Sequence, residues 1–194
     1  MATGSFARNT LEIGKGLESV RAAKPDAVIL AGPYAPAAEI VKQAHEQGWR
    51  PHFLAVSFIG TEAFVTAAGQ EAEGVLITQV VPTYDNTDLP TVKLYRECLG
   101  KYMSATQPGF VSFEAFVNAM VMVEGLKRAG MNPTREKFIA AIESLNGFDI
   151  GLGPTARLEF SAQHHKGLGR VYPTVVRGGK AEPFSDWSSV LAQK

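Results

Sequence analysis

Residues 24–34 read KPDAVILAGPY, and this stretch decides the class of the fold. Its proline ends a preceding helical segment, and Ala27 to Ala31 is a short apolar run of the kind that forms a strand covered on both faces. Gly32 and Pro33 then make a turn, and an amphipathic helical pattern follows as far as Gly48. Helix, buried strand, turn and helix in this order are the repeating unit of a doubly wound α/β sheet.

The same unit recurs through the first half of the chain. Residues 10–23 have the apolar spacing of a helix, and residues 53–56 and 74–78 are two further predicted strands. Thr61 is predicted to cap a short helix between those strands. Helices that alternate with short buried strands predict a parallel sheet with helices on both of its faces.

The character of the sequence changes at Pro82 to Pro90, which is polar, rich in turn-forming residues and long for a connection inside a compact unit. We interpret this segment as a crossing between two lobes. Beyond it, helices are predicted at residues 90–102, 112–129 and 133–145, a loop at 147–154, and strands at 157–160 and 169–176. Gly178 and Gly179 predict a hairpin turn into the tail.

The composition excludes several classes of function. Of the 194 residues, 19 are Lys or Arg and 19 are Asp or Glu, so there is no excess of basic charge to hold nucleic acid or an anionic membrane surface. The single cysteine, Cys98, excludes an internal disulfide framework and a multi-cysteine metal site. The longest apolar stretch, residues 115–123, is too short for a membrane span.

The sequence also lacks the motifs of common enzymes. It has no nucleophile elbow, no phosphate-binding loop and no zinc-binding helix motif. Residues 151–156 match the glycine spacing of a dinucleotide fingerprint, but Pro154 and the strand pattern at 157–160 contradict the helix that should follow. His164 and His165 point to opposite sides of an extended backbone and have no acidic or thiol partner nearby. The sequence therefore predicts a protein that is not an enzyme and holds neither cofactor nor metal.

Two blocks of sequence resemble the solute-binding proteins of branched-chain amino acid importers, the leucine/isoleucine/valine-binding family. The first block contains Arg8-Asn9-Thr10, Lys24 to Val28, Gly32-Pro33-Tyr34, Val41 to Ala44 and Gly48. The second contains Val111 to Phe116, Leu126 to Gly130, Pro133 to Glu136 and Phe148 to Gly151. No piece is diagnostic by itself, but their order and spacing extend over almost the whole chain.

This resemblance implies a type I periplasmic binding protein fold, in which two α/β lobes joined by a three-strand hinge close on a solute and deliver it to an ABC permease. Members are nearly twice as long, so the chain is interpreted as the downstream half. Residues 4–82 and 169–194 would form an α/β lobe two, and residues 83–162 a partial, mainly helical lobe one. The resemblance also implies the periplasm, although the N-terminus lacks the features of a signal peptide.

Ligands of open parallel sheets lie beyond the carboxyl ends of the strands, and the turns at those ends hold Tyr34, Ser57, Phe58 and Tyr84. We predict that these four residues contact the ligand. Tyr34 offers a ring and a hydroxyl, and its alternative role is packing on the helix that follows it. Phe58 is equally compatible with the wall of a site and with the core.

Ser57 is informative because the resemblance implies an acidic side chain at this position, where it pairs with the ammonium of an amino acid. Removing one partner of a buried charge pair costs about 3–5 kcal/mol, so serine argues against an unaltered α-amino acid site unless another acid compensates. Glu114 is the candidate for that role, and its alternative is a favourable interaction with the helix dipole. Ser112 is predicted to be either a helix cap or a ligand donor.

The predicted function is non-catalytic binding of an amino acid or a related carboxylate or amide, as the substrate-binding component of an ABC importer. The alternative is a sensory or regulatory module of the same fold, which passes closure to a signalling partner. A further hypothesis concerns the helix at residues 112–129. It should expose apolar faces that the missing half would cover, so the chain is expected to form homo-oligomers or to pack loosely.

Overall fold

The computed structural model of the protein describes residues 1–192, which divide into two compact units. Unit 1 comprises Met1–Gln79 and the chain from Tyr172 onward, and unit 2 comprises Val80–Val171. Residues 193 and 194, which the predicted lobe two includes, lie outside the described residues. The assignment of the units to lobes two and one stays a prediction.

The helices and strands are numbered along the chain. The helices are α1 (Gly14–Ala22), α2 (Tyr34–Glu46), α3 (Thr61–Ala68), α4 (Pro90–Tyr102), α5 (Phe110–Ala129), α6 (Arg135–Glu143) and α7 (Trp187–Leu191). The strands are β1 (Ala27–Leu30), β2 (His52–Val56), β3 (Leu76–Gln79), β4 (Asn146–Asp149), β5 (Arg157–Glu159), β6 (Tyr172–Arg177) and β7 (Lys180–Pro183). Two short 3-10 helices, Ser57–Ile59 and Gly69–Ala72, flank α3.

Unit 1 is built on a five-stranded sheet in the order β1-β2-β3-β6-β7. β1, β2 and β3 are parallel, which confirms the sheet predicted from the alternation of helices and apolar runs. β6 and β7 add an antiparallel hairpin beside β3, with Ile77 opposite Thr174. The chain therefore returns to the first sheet with its last two strands, and the sheet is mixed rather than wholly parallel.

α2 shows why these segments pack on the sheet. Ala37, Val41 and Ala44 recur at helical spacing, and all three are buried in one cluster with Phe53 of β2. Burying a side chain such as Val41 stabilises the fold by about 1.5–3 kcal/mol. The helix ends where Gly48 adopts a φ of 70°, a left-handed conformation that glycine tolerates without strain.

α1 begins later than the apolar spacing predicts. The expected start was Thr10, but Thr10 closes a turn in which its hydroxyl donates to the carbonyl of Ala7 over 2.8 Å. Asn9 in the same turn has a φ of 61°, which is incompatible with a right-handed helix. A second tight turn follows, in which the amide of Ile13 donates to the carbonyl of Leu11 over 2.8 Å. α1 starts after it, at Gly14, and buries Leu17 in the core of unit 1.

Unit 2 contains α4, α5 and α6 with the hairpin of β4 and β5. α5 packs closely on α6 at Gly125, where a Cβ would lie 2.5 Å from Cδ1 of Ile142. The loop predicted at residues 147–154 is wrong in its first part, because β4 pairs with β5 through Phe148 and Leu158. The strand is short, contains Gly147 and has an irregular register, so no alternation marks it in the sequence.

None of the helices in the described part of the chain is long and apolar enough to cross a membrane.

Candidate functional site

In unit 1 the predicted ligand contacts lie beyond the carboxyl ends of β1 and β2. Tyr34 is the first residue of α2, and Ser57 and Phe58 begin the 3-10 helix that follows β2. Because the two strands are parallel, these turns meet at one edge of the sheet, and a methyl group on Gly60 would lie 4.0 Å from Cδ1 of Tyr34. We call Tyr34, Ser57, Phe58 and Gly60 the strand-end cluster.

Both rings of the strand-end cluster face solvent. Tyr34 is 45% exposed and Phe58 is 62% exposed, so the alternative of Phe58 as a core residue is wrong. Ser57, which precedes Phe58 in the 3-10 helix, is half-buried. Two exposed aromatic faces and the hydroxyls of Tyr34 and Ser57 at the end of a parallel sheet form a surface that can cover an apolar group and donate hydrogen bonds.

The turn that carries Ser57 and Phe58 has a defined geometry. The amide of Gly60 donates to the carbonyl of Ser57 over 3.2 Å and closes the 3-10 turn. Gly60 has a φ of 79°, which most L-residues reach only with strain, and it is also the N-cap of α3. A glycine is therefore required at the point where the turn becomes a helix.

A buried polar network lies behind this turn, and sequence reasoning missed it. Nε2 of Gln79 donates to Oγ1 of Thr61 over 2.9 Å and to Oγ1 of Thr174 over 3.2 Å. The hydroxyl of Thr174 in turn donates to the carbonyl of Ile77 over 2.8 Å. Thr61 was predicted to cap α3, but it is the first helical residue and its hydroxyl faces Gln79. The available signal was a glutamine at the end of an otherwise apolar strand.

In unit 2 the predicted contacts gather around the N-terminal end of α5. The ring of Tyr84 packs edge-on against Phe110, with ring centroids 5.0 Å apart. Glu114 lies one turn further along the helix and is half-buried. Within residues 1–192 its carboxylate has neither a hydrogen bond nor an ion pair, which leaves all its acceptor sites open.

Ser112 has a different environment from the one predicted. α5 begins at Phe110 with Gly109 as its N-cap, so the interpretation of Ser112 as the cap is wrong. Its hydroxyl instead lies 2.6 Å from the hydroxyl of Tyr95, a buried residue of α4. The amide of Gly109 donates to the same tyrosine oxygen over 3.1 Å. Ser112 thus fixes the beginning of α5. As a ligand donor, its hydroxyl would have to bond both Tyr95 and the solute.

Comparison with known proteins identifies the family. A family model described as periplasmic binding protein matches residues 5–181. The chain belongs to the periplasmic binding protein family. The resemblance predicted from the two sequence blocks is thereby confirmed, and the family consists of non-catalytic solute-binding proteins, as predicted. No curated protein matches the chain.

Solved periplasmic binding proteins share the fold. A possible leucine/isoleucine/valine-binding protein from Rhodopirellula baltica is 33% identical, with a TM-score of 0.91 over 97% of this chain and 50% of its own. A substrate-binding periplasmic protein from Ralstonia solanacearum is 26% identical, with a TM-score of 0.82 over 94% of this chain and 51% of its own. A branched-chain amino acid ABC transporter protein from Thermus thermophilus, solved with bound valine, is 22% identical, with a TM-score of 0.73 over 95% of this chain and 52% of its own. This periplasmic binding protein chain spans about half the length of these structures.

Proposed function

We propose that this chain is the ligand-binding part of the substrate-binding component of an ABC importer, and that its ligand is a small amino acid or a related carboxylate or amide. The observation that carries the proposal is the strand-end cluster, with two exposed rings and a serine at the carboxyl ends of parallel strands. The family membership supports solute binding, and the valine bound in the Thermus structure supports an amino-acid-like solute. The proposed location is the periplasm, and the proposed partner is an ABC permease.

The proposed roles follow from the chemistry of each side chain. Tyr34 and Phe58 would cover the apolar part of the solute, and Ser57 would donate a hydrogen bond. In unit 2, Tyr84 would offer a ring, and the carboxylate of Glu114 would accept from an ammonium group where the solute has one. None of these roles requires a bond to be made or broken.

The composition of the strand-end cluster bears on the class of solute. It contains two hydroxyls and two rings but no carboxylate, so within this cluster an ammonium group would be desolvated without an opposite charge. A deaminated acid or an amide carries no such group. An α-amino acid fits only if Glu114 supplies the negative charge. Whether the protein binds only ligands that carry an amine therefore tests the role of Glu114.

The test is a thermal-shift screen of the protein against branched-chain and aromatic amino acids, the matching deaminated acids and small amides. A compound present at 100 times its dissociation constant should stabilise the protein by about 2.7 kcal/mol. Stabilisation by acids without an amine would support the role of Ser57, and stabilisation by α-amino acids alone would assign the ammonium to Glu114. A folded protein that none of the three classes stabilises would contradict the proposal.

Variants of the exposed rings test the site itself. Tyr34→Ala and Phe58→Ala should weaken binding of the stabilising compound by about tenfold or more, because each removes an aromatic face. Their melting temperatures without ligand should stay close to that of the wild type, since both rings are exposed. Tyr34→Phe is the matched control that keeps the ring and removes the hydroxyl. Unchanged affinity in both alanine variants would remove the strand-end cluster from the site.

A further inference from the structure

Gln79 occupies an unusual place for an amide side chain. It is 1% exposed and ends β3, whose other residues are mostly apolar. Burying an amide without partners costs free energy, and an apolar side chain of similar size would fill the same space. Both N–H donors of Gln79 are used, one on Thr61 and one on Thr174. The amide therefore joins two specific points of unit 1 that an apolar side chain would leave unconnected.

Gln79 joins Thr61, which lies beside the strand-end cluster, to Thr174, which lies close to the point where the chain returns from unit 2 to unit 1. Thr61 follows Gly60 directly, so it is fixed to the turn that carries Ser57 and Phe58. Gln79 is the last residue of unit 1 before the chain enters unit 2, and Thr174 lies two residues after the chain returns at Tyr172. The hydroxyl of Thr174 also bonds the carbonyl of Ile77, which fixes it to β3.

We propose that Gln79 is a positioning residue for solute binding, which holds the Ser57–Gly60 turn in register with the ends of β3 and β6. This role rests on the proposed function of the turn. Gln79 itself is buried and does not touch the solute. It acts through Thr61, which accepts a hydrogen bond from Gln79 and follows Gly60, the last residue of the turn, directly. A satisfied polar network fixes one arrangement of the groups it joins, whereas apolar contacts allow small shifts.

The network also gives the turn a connection to the two strand ends through which the chain leaves and re-enters unit 1. A change in the backbone at Gln79 would move the partner of Thr61, and a change at Tyr172 would reach Thr61 through Thr174 and Gln79. Thr61 would in turn displace the turn. The Ser57–Gly60 turn should therefore respond to substitutions at Gln79, although Gln79 lies 18 positions after Thr61 in the sequence.

The experiment is hydrogen–deuterium exchange by mass spectrometry on the full 194-residue chain without ligand. Gln79→Met removes both donors and keeps the shape, and Thr61→Val removes one hydroxyl and keeps the branching. Thr61→Ser is the rescue variant, because it retains the hydroxyl that accepts from Gln79. Ile77→Val is the control for general loosening, since it removes a buried methyl group from the same strand without altering the network's side chains.

Exchange in the peptide that covers residues 57–61 should rise by about tenfold in Gln79→Met and in Thr61→Val, as expected for the loss of a buried hydrogen bond. Thr61→Ser should keep the wild-type rate, and the α2 peptide should be unchanged in all three variants. Ile77→Val should show no selective effect on the turn. This pattern would support a positioning role, because general destabilisation would accelerate exchange throughout unit 1.

Two results would overturn the proposal. One is an unchanged turn in folded Gln79→Met and Thr61→Val, and the other is equal acceleration of the turn and α2. If Gln79→Met does not fold, the Thr61→Val and Thr61→Ser pair decides alone, and an unfolded Thr61→Val beside a folded Thr61→Ser would also count against a local role. Because no ligand is used, failure here leaves the proposed function standing, and failure of the thermal-shift screen leaves this result unaffected.

Discussion

Glu71 accepts a hydrogen bond from Nδ1 of His45, a side chain that is almost completely buried at the end of α2, and Arg50 lies 3.7 Å from the same carboxylate oxygen. This hydrogen bond, with the positive charges of His45, Arg50 and Lys42, lowers the pKa of Glu71. A carboxyl group whose pKa is lower in the folded protein contributes stability above its unfolded pKa and loses it as the pH falls through the folded pKa. The free energy of unfolding should therefore decrease as the pH falls below the ordinary glutamate value of 4.5.

Glu71→Gln should flatten that part of the pH profile, because the amide does not titrate. Urea denaturation at a series of pH values measures the effect, and Glu18→Gln in α1 is the control at an exposed glutamate. A profile that stays equally steep in Glu71→Gln would show that other carboxyl groups cause the acid dependence. At this scale the sequence was a poor guide, because His45 and Glu71 are 26 positions apart and only the packing of α2 on the second 3-10 helix brings them together.

At the scale of elements, the contact between α5 and α6 depends on one residue without a side chain. A Cβ at Gly125 would lie 2.5 Å from Cδ1 of Ile142 and 2.9 Å from Cε2 of Phe138. Gly125→Ala should therefore destabilise the protein by about 1–3 kcal/mol, as overpacking does. Gly100→Ala in α4 is the matched control, because a Cβ there has nothing within 4 Å and alanine favours helix by about 1 kcal/mol. Urea denaturation should give opposite signs for the two variants, and equal signs would contradict this account of the contact.

The elements that could be predicted from the sequence are those whose own residues specify them. The apolar run of β1, the spacing of Ala37, Val41 and Ala44 in α2 and the helical period of α4 all act locally, and their predicted segments agree with the structure. β4 depends on pairing with β5, and the start of α5 depends on the hydroxyl of Tyr95 from another helix. The positions of Tyr34 and Ser57 followed from strand order, whereas the network of Thr61, Gln79 and Thr174 required contacts across 95 positions.

At the scale of the whole molecule, α5 presents an exposed uncharged face. Val111, Met122, Val123 and Leu126 are all exposed on this helix, in agreement with the expected apolar surface. Surfaces of this kind favour association, so the oligomer expected from the sequence remains a proposal with a structural basis. Met122→Lys should shift the chain towards monomer in size-exclusion chromatography with light scattering over a dilution series.

Leu11→Lys is the control for that experiment, because Leu11 is 55% exposed in unit 1 and Met122 is 57% exposed in α5. An equal shift in both variants would indicate a general effect of added charge. A wild-type chain that is monomeric at every concentration would show that the α5 face does not cause association.

Both tryptophans of the chain, Trp49 and Trp187, belong to unit 1, where each packs beside a phenylalanine ring. Fluorescence from selectively excited tryptophan therefore monitors unit 1 alone. Far-ultraviolet circular dichroism is weighted towards the long helices of unit 2. Coincident melting curves from the two signals would identify a single cooperative transition, and separate curves would resolve the stability of each unit without any engineered label.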